Sequence, residues 1–381
     1  MLSTKGVYLT LMIGPAVPVP VPREVLDALT SVQVTTTSGS FSVFELTFTV
    51  NNQSPLQTLF LLSGGNIPSS IPPIMRVIIA VTINGVQEIL MDGIMTEHNI
   101  TPGTGGENST LTIMGDDLTR LMHYQDFSGF PFPALSAEGR IAILLAKYAA
   151  FGIVPKIIPS VFIDVPLPID RIPRQKGTDL QYINYLAEEV GYAFYISPGP
   201  KLGMSVAYWG PEIKVGVPQP ALNVDMDAHT NVESLSFKFD NTSKSLPILF
   251  IQNPETKVPI PIPIPDINPI NPPLGLVPPI PNKIDFINFT SKYSSTRAAA
   301  VGLAKAARDA EAVTGSGSLN VLRYGRVLKA RQLVGVRGAG TAFDGLYYVQ
   351  SVTSSLKRGE FKQSFELSRN SLVSTVSKVP A

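Results

Sequence analysis

Apolar and polar positions alternate with a period of two through the first third of the chain. Val32, Val34 and Thr36 alternate with polar neighbours, as do Phe44, Leu46, Phe48 and Val50, which predicts two strands joined near Ser38 and Gly39. The run MRVIIAVTINGVQEILMDGIM reads as a second hairpin, joined at Asn84 and Gly85, a dipeptide that tolerates the positive φ angles of a type I′ turn. STLTIMGDDLTRLMHY adds a strand through Leu111 and Ile113 and a turn at Gly115, Asp116 and Asp117. Short antiparallel strands of this kind make a small barrel or sandwich, because closure removes exposed edges.

The period then changes to that of a helix. Ser136 is the expected N-cap of a helix with Ile141, Leu144, Leu145 and Tyr148 on one face and Gly152 at its stop. In QKGTDLQYINYLAEEVGYAFYI, Thr178 caps a second helix, Asp179 favours its dipole, and Gly191 ends it in a left-handed turn. Leu180, Ile183, Leu186, Ala187 and Val190 form its apolar face, and Tyr192, Phe194 and Ile196 are the inward set of the strand that follows.

From Leu202 to Phe239 strands return, including MSVAYW and VESLSFKF. RAAAVGLAKAARDAEAV reads as a helix ending near Gly315, and the stretch from Arg326 to Arg369 supplies a last group of strands with a tight turn at Asp344 and Gly345. The expected fold is mainly β with an α/β section: two small β-barrels, related by duplication, around an intervening α/β domain. The divisions are 1–125 (N-terminal arm and first barrel), 126–200 (α/β domain), 201–245 with 284–372 (second barrel with an inserted helix) and 246–283 (a Pro-rich arm). No residue-level repeat accompanies the duplication.

The arm is the oddest segment. ILFIQNPETKVPIPIPIPDINPINPPLGLVPPIP contains prolines that preclude a helix and a central strand alike. At about 3.1 Å per residue a polyproline conformation would carry it on the order of 100 Å, so it is a folded-back strap or a projecting arm. Val258, Ile260, Ile262, Ile264, Ile267 and Ile270 would leave an exposed apolar ribbon. Two readings stand: docking on a neighbouring subunit or another protein, or lying on its own barrel.

Composition narrows the function. A chain of 381 residues holds two or three domains, and a charged fraction of 15% with a mean hydropathy of +0.19 points to a surface shared with partners. No apolar run approaches the ~18 residues needed to cross a bilayer, so a transmembrane protein is not expected. Lys5 precedes an apolar stretch to Ile13, but PAVPVPVP follows where a signal-peptide cleavage site would lie, which suits an extended arm or first strand. A formal net charge of +1 gives no basic footprint for nucleic acid, and the absence of cysteine excludes disulfides and thiolate chemistry.

Catalytic signals are weak. His98, His123 and His229 lack metal-ligand spacing. Asp116 with Asp117 and Glu188 with Glu189 are sequence neighbours that rarely face one another, and a glycosidase needs two carboxylates about 5 to 10 Å apart across a cleft. Gly335, Gly338 and Gly340 lie between strands rather than opening a helix. Arg323, Arg326, Lys329, Arg331 and Arg337 are the one basic concentration, and strand alternation would point several of them the same way, into solvent or toward an acidic partner.

Three separated motifs carry a resemblance. STLTIMGDDLTRLM, TDLQYINYLAEEVGYAFYI, and GRVLKARQLVGVRGAGTAFDGLYYVQSV followed by GEFKQSFELSR together resemble the phage tail hub family, the late control gene D proteins and the hub portion of type VI secretion spike proteins. The resemblance spans about Val32 to Arg369. It implies two related β-barrels per subunit and a homotrimer whose six barrels adapt a threefold spike to a sixfold tail tube. The implied role is structural, with no catalytic residue, cofactor or metal. The implied partners are a separate spike protein, tail tube or tube-initiator proteins, other baseplate proteins and DNA passing the five basic residues in the channel. The implied location is the tail baseplate of a virion or an injection-system particle, assembled in the bacterial host cytoplasm. The alternative is a tail-associated cell-wall glycan hydrolase. The Pro-rich arm has no counterpart in the resemblance.

Overall fold

The computed structural model describes residues 6–15, 17–50, 74–103, 108–160, 165, 168–169, 172–242, 244–252, 256, 258–264, 272–287, 301–303, 305–306, 311–376 and 379. The chain is mainly β, as its alternating pattern requires. Strands β1 (Val7–Gly14) and β2 (Val19–Pro20) and the short helix α1 (Arg23–Ala28) lead into β3 (Leu29–Thr37) and β4 (Val43–Val50). β5 (Arg76–Ile83) and β6 (Val86–Thr101) follow, joined by Asn84 at φ 50° and Gly85 at φ 82°, the left-handed pair the turn demands.

β7 (Ser109–Asp117) corrects one expectation, because the strand runs through the residues read as a turn. Asp117 is instead the cap of a 3-10 turn, Leu118–His123, and accepts a 3.0 Å hydrogen bond from the Thr119 amide. Gly115 serves a close approach: a Cβ there would lie 2.4 Å from the Phe44 ring.

The α/β lobe packs α2 (Ala137–Ala146) and α3 (Asp179–Glu188) on a sheet of β8 (Ile153–Ile157), β9 (Ala193–Pro198) and β10 (Ser205–Gly210), in the order β8-β10-β9. Its core holds Ile141, Leu144, Leu145, Tyr182, Ile183, Leu186, Ile196 and Trp209. Ser136 and Thr178 cap the two helices as expected, and Gln181 completes a capping box by accepting from the Thr178 amide at 3.0 Å. The fully buried Asp179 joins the helices. It accepts from Gln175 Nε2 (2.7 Å), the Tyr148 hydroxyl (2.8 Å) and Lys147 Nζ (3.0 Å).

The second β section begins with β11 (Gln219–Asn223) and β12 (Val232–Phe239). A long excursion carries β13 (Ser245–Gln252), β14 (Pro259–Pro263), β15 (Gly275–Val277) and β16 (Lys283–Ile287). The section then resumes with β17 (Val313–Asn320), α4 (Val321–Tyr324), β18 (Leu333–Arg337), β19 (Gly345–Lys357), β20 (Glu360–Arg369) and β21 (Leu372–Ser374). Residues 301–303 and 305–306 are helical, but the helix does not reach Gly315: β17 has begun by Val313, which is fully buried and pairs with both β12 and β20.

The two β sections repeat one topology. β3, β4, β5, β6 and β7 lie in the spatial order β3-β4-β7-β6-β5, and β12, β17, β18, β19 and β20 lie in the order β12-β17-β20-β19-β18. The registers coincide as well. β3 has an extra residue at Thr30 against β4, and β12 has one at Glu233 against β17, where the register shifts. β6 has one at Thr96 against β7, and β19 has one at Gln350 against β20. A shared order with bulges at matching places marks two copies of one unit. The copies diverge at their outer strands, where β1 is antiparallel to β5 but β11 is parallel to β18.

The units are continuous. Residues Ser351 to Lys357 of β19 pair with Thr37 to Ser31 of β3, so all these strands belong to one 13-stranded sheet. The inner face of this seam buries Val32, Val34, Val352 and Leu356 within a single core spanning both units. On the outer face Thr35 and Thr353 hydroxyls meet at 3.0 Å, and those of Thr37 and Ser351 at 3.4 Å.

A buried ion pair ties the first unit to the lobe. Arg76 donates from Nε and Nη2 to the two oxygens of Asp92 at 2.7 Å each, and Nη2 reaches the Gly203 carbonyl at 3.0 Å. Ser205 Oγ of β10 donates to Asp92 at 2.8 Å. Removing one partner strands the other charge in the interior, so Asp92→Ala is expected to lower unfolding free energy by about 3–5 kcal/mol. Urea titration followed by the near-ultraviolet signal of Trp209, in the same lobe, measures it; a loss under 1 kcal/mol would refute the assignment of this pair as the tie.

Candidate assembly surfaces

The seam opens on one side into a cleft of about 550 Å³, bordered by Thr36 and Ser354 of the seam, Glu88 of β6, Tyr195 of β9, and Lys329 and Arg331. Lys329 Nζ closes one wall against Glu88 at 2.7 Å. Arg331, at φ 64°, donates from Nη2 to the carbonyls of Thr37 (2.8 Å) and Ser40 (3.1 Å) in the β3–β4 turn. Its guanidinium lies 4.1 Å from the centroid of Tyr195, which stacks on Tyr208 at 4.9 Å. One side chain thus touches both β units and the lobe. Burial pulls the Arg331 pKa below the ordinary arginine value, opposed by nearby Tyr195 and Asp117. The planar fork and the stacked ring suit arginine in a way lysine does not.

The Pro-rich arm is folded back. β13 is the central strand of a three-stranded sheet in the order β14-β13-β16, which corrects the expectation that no part of this segment could be central. Pro259, Pro261 and Pro263 lie on the edge strand β14, where a missing N–H costs no ladder bond, and β13 holds one proline, Pro247, near its start. β15 pairs with β21 near the other end of the chain. Leu249, Ile264, Ala306 and Leu303 form a small core beneath the arm. Of the six arm residues singled out in the sequence, Val258, Ile260 and Ile262 are exposed and Ile264 is buried; Ile267 and Ile270 lie outside the described residues. On the far face Ile284 and Phe286 are about half exposed, at 56% and 52%.

The basic residues do not share a strand. Only Arg337 lies in β18, where Nε donates to the Val379 carbonyl at 3.0 Å. Arg323 sits on α4 and Arg326 in the loop after it, both exposed, while Lys329 and Arg331 border the cleft. Alternation failed here because residues 325–332 form no strand.

The acidic pairs serve the fold. Asp117 is buried as a cap and accepts from the Ser42 amide at 2.7 Å, while Asp116 lies 3.6 Å from Arg120. Desolvation raises the pKa of both, countered at Asp117 by its hydrogen bonds and at Asp116 by Arg120. Glu189 accepts from the Tyr185 hydroxyl at 2.6 Å and Glu188 is exposed. His98, His123 and His229 stand on separate elements, and the described residues hold no group of three His, Cys, Asp or Glu suited to a metal ion. Sequence reasoning missed Arg76 and Asp92, which meet across the β5–β6 hairpin and reach Gly203 and Ser205 of the lobe, and Tyr195, whose partner Arg331 is distant along the chain.

Buried tyrosines make the lobe and units sensitive to alkali. Burial, then Tyr195, Tyr192 and Glu212, pushes the Tyr208 pKa up to about 12, and burial also raises Tyr324, Tyr347 and Tyr348. The folded chain keeps these protons where unfolded tyrosine, at 10.0, has lost them. Their contribution is therefore complete below pH 10 and lost as pH rises toward and past 12. Urea midpoints are expected to fall steadily over this window, and Tyr208→Phe to flatten the slope; an unchanged slope in the variant would exclude Tyr208 as a source.

No protein-family model matches the chain, and a search of curated proteins returns no match. Solved structures do match. A tail protein from Neisseria meningitidis is 14% identical, with 96% of this chain and 97% of that chain covered at a TM-score of 0.62. The 43 kDa tail protein of prophage MuSo2 from Shewanella oneidensis is 14% identical over 95% and 98%, at 0.58. The E. coli c3393 protein, described as a type VI secretion component with structural similarity to T4 bacteriophage tail proteins gp27 and gp5, is 11% identical over 93% and 76%, at 0.53. The chain has the fold of phage tail proteins.

Proposed function

We propose that this chain is a structural hub subunit of a phage-tail baseplate or a related contractile injection system. Three copies form a ring that joins a central spike to a hexameric tail tube and lines the channel between them. The observation that carries this reading is the fold match with tail proteins over nearly the whole of both chains. The repeated β unit supports it, since three copies would present six equivalent units to a sixfold tube. Spike, tube-initiator and other baseplate proteins are the partners in this reading. Arg323 and Arg326 are the exposed cations available to passing DNA or an acidic partner if their side faces the channel. In this reading no bond is made or broken: Asp117 is held as a cap, Asp116 lies beside Arg120 and Glu189 accepts from Tyr185.

Light scattering of the purified chain is expected to give a mass three times that of the chain, and with its cognate spike that mass plus the spike's own; a monomer under both conditions would overturn the ring. A peptidoglycan zymogram is expected to show no clearing, and lysis would restore the hydrolase reading. The arm's exposed Val258, Ile260 and Ile262 suit docking on a neighbouring subunit or baseplate protein. Replacing 246–283 by a short Gly-Ser linker is expected to leave the trimer intact and reduce incorporation into particles at least tenfold. Normal incorporation would assign the arm to its own subunit.

A further inference from the structure

The cleft beside the seam is where both β units and the lobe meet around one cavity. Thr36 comes from β3, Gln87 from the start of β6, Tyr195 and Ser197 from β9 of the lobe, and Gln332 from the segment before β18. Its volume of about 550 Å³ falls within the ~300–1,000 Å³ of small-molecule sites.

The charges around it are already matched. Lys329 Nζ lies 2.7 Å from Glu88. Arg331 turns Nη2 to the carbonyls of Thr37 and Ser40 and sets its guanidinium against Tyr195, with Asp117 nearby. A charged ligand entering the cleft would lose its water and meet no spare charge of opposite sign.

The remaining polar groups are neutral and open. The side chains of Thr36, Gln87, Tyr195, Ser197 and Gln332 make no hydrogen bond to any described residue. Beneath them Val34 and Val352 form an apolar floor, at 2% and 4% exposure. The floor strands β3 and β19 are each paired on both sides, so they offer a peptide no free ladder and recognition falls to side chains.

This composition defines the ligand by exclusion. An apolar molecule would cut the five polar side chains off from water without replacing its hydrogen bonds. An ion finds no partner. What fits is an uncharged ring compound with many hydroxyls around an apolar face, which is the chemistry of a sugar.

We propose that the cleft binds a short uncharged oligosaccharide. The hydroxyls of Thr36, Tyr195 and Ser197 and the amides of Gln87 and Gln332 each donate and accept, as sugar hydroxyls do, so the two sets can pair throughout. Tyr195 acts through its hydroxyl and ring edge, because its ring is already in contact with Arg331 and Tyr208. The ligand touches both β units and the lobe, so its binding stabilises the folded chain as a whole. This assignment is of binding alone, and it does not rest on the hub reading.

Sugars with and without acetamido groups share the required chemistry, and the probes separate them. Isothermal titration of the full chain with chitotriose and with cellotriose is expected to show saturable binding of at least one, with a matching rise in melting temperature. Binding of chitotriose alone identifies acetamido sugars as the ligand class, and binding of cellotriose alone identifies plain hexoses. Thr36→Val and Tyr195→Phe are each expected to weaken binding about tenfold, the worth of one hydrogen bond. Thr35→Val, on the opposite face of β3, is expected to leave affinity unchanged. Gln87→Ala with Gln332→Ala, both at exposed positions, repeats the test should either cleft variant fail to fold. Failure of both sugars to bind, competition by inorganic phosphate or by hexanol, or unchanged affinity in the folded cleft variants would overturn the site. Each of those results leaves the hub reading standing, since light scattering decides it separately.

Discussion

An unpaired strand edge is the constraint on which this molecule turns. Backbone N–H and C=O groups along an edge must find partners in protein or water, and a long apolar edge left open invites association. The β3–β19 pairing meets this demand between the two units and fixes their relative placement. Its register is held from both faces, by Val32 and Leu356 within and by the Thr35 and Thr353 hydroxyls without. A slip of one residue would exchange these faces, burying threonine and exposing valine.

Much of the fold was legible because it depends on short-range pattern. Alternation located β3 and β4, Asn84–Gly85 located the hairpin, and Ser136 and Thr178 located two helix starts. The duplication was hidden for a physical reason. A strand asks for apolar residues on one face but seldom for particular ones, so Leu29, Val32 and Val34 can correspond to Val232, Leu235 and Phe237 with only the neighbouring Ser31 and Ser234 identical. Bulges and pairing order persist where side chains do not.

The candidate assembly surfaces were less legible, because their residues meet only after folding. Arg331 looked like one cation among five, yet its surroundings come from the β3–β4 turn and from β9. Asp92 follows the apolar run Ile89–Met91 of β6, and the pattern alone does not mark it as the partner of Arg76 across the hairpin or of Ser205 in the lobe. The proline segment misled through its own composition: β13 takes the centre of the sheet with a single proline, Pro247, near its start, while its neighbour β14 carries three at the edge. Buried polar ties of this sort do less for stability than an equal volume of apolar packing would, and they narrow the arrangements open to the three bodies they join.

The long excursion from 240 to 312 leaves the second unit at the connection between β12 and β17. Its counterpart in the first unit, between β3 and β4, is only residues 38–42. Everything that makes the arm unusual has thus been grafted into one hairpin, outside the registers that hold the sheet. Because loop closure cost rises only slowly with length, such a graft can be exchanged for another while the parent sheet is preserved. The chain combines a conservative scaffold with a replaceable attachment, so chains of this fold are free to diverge most at this one connection.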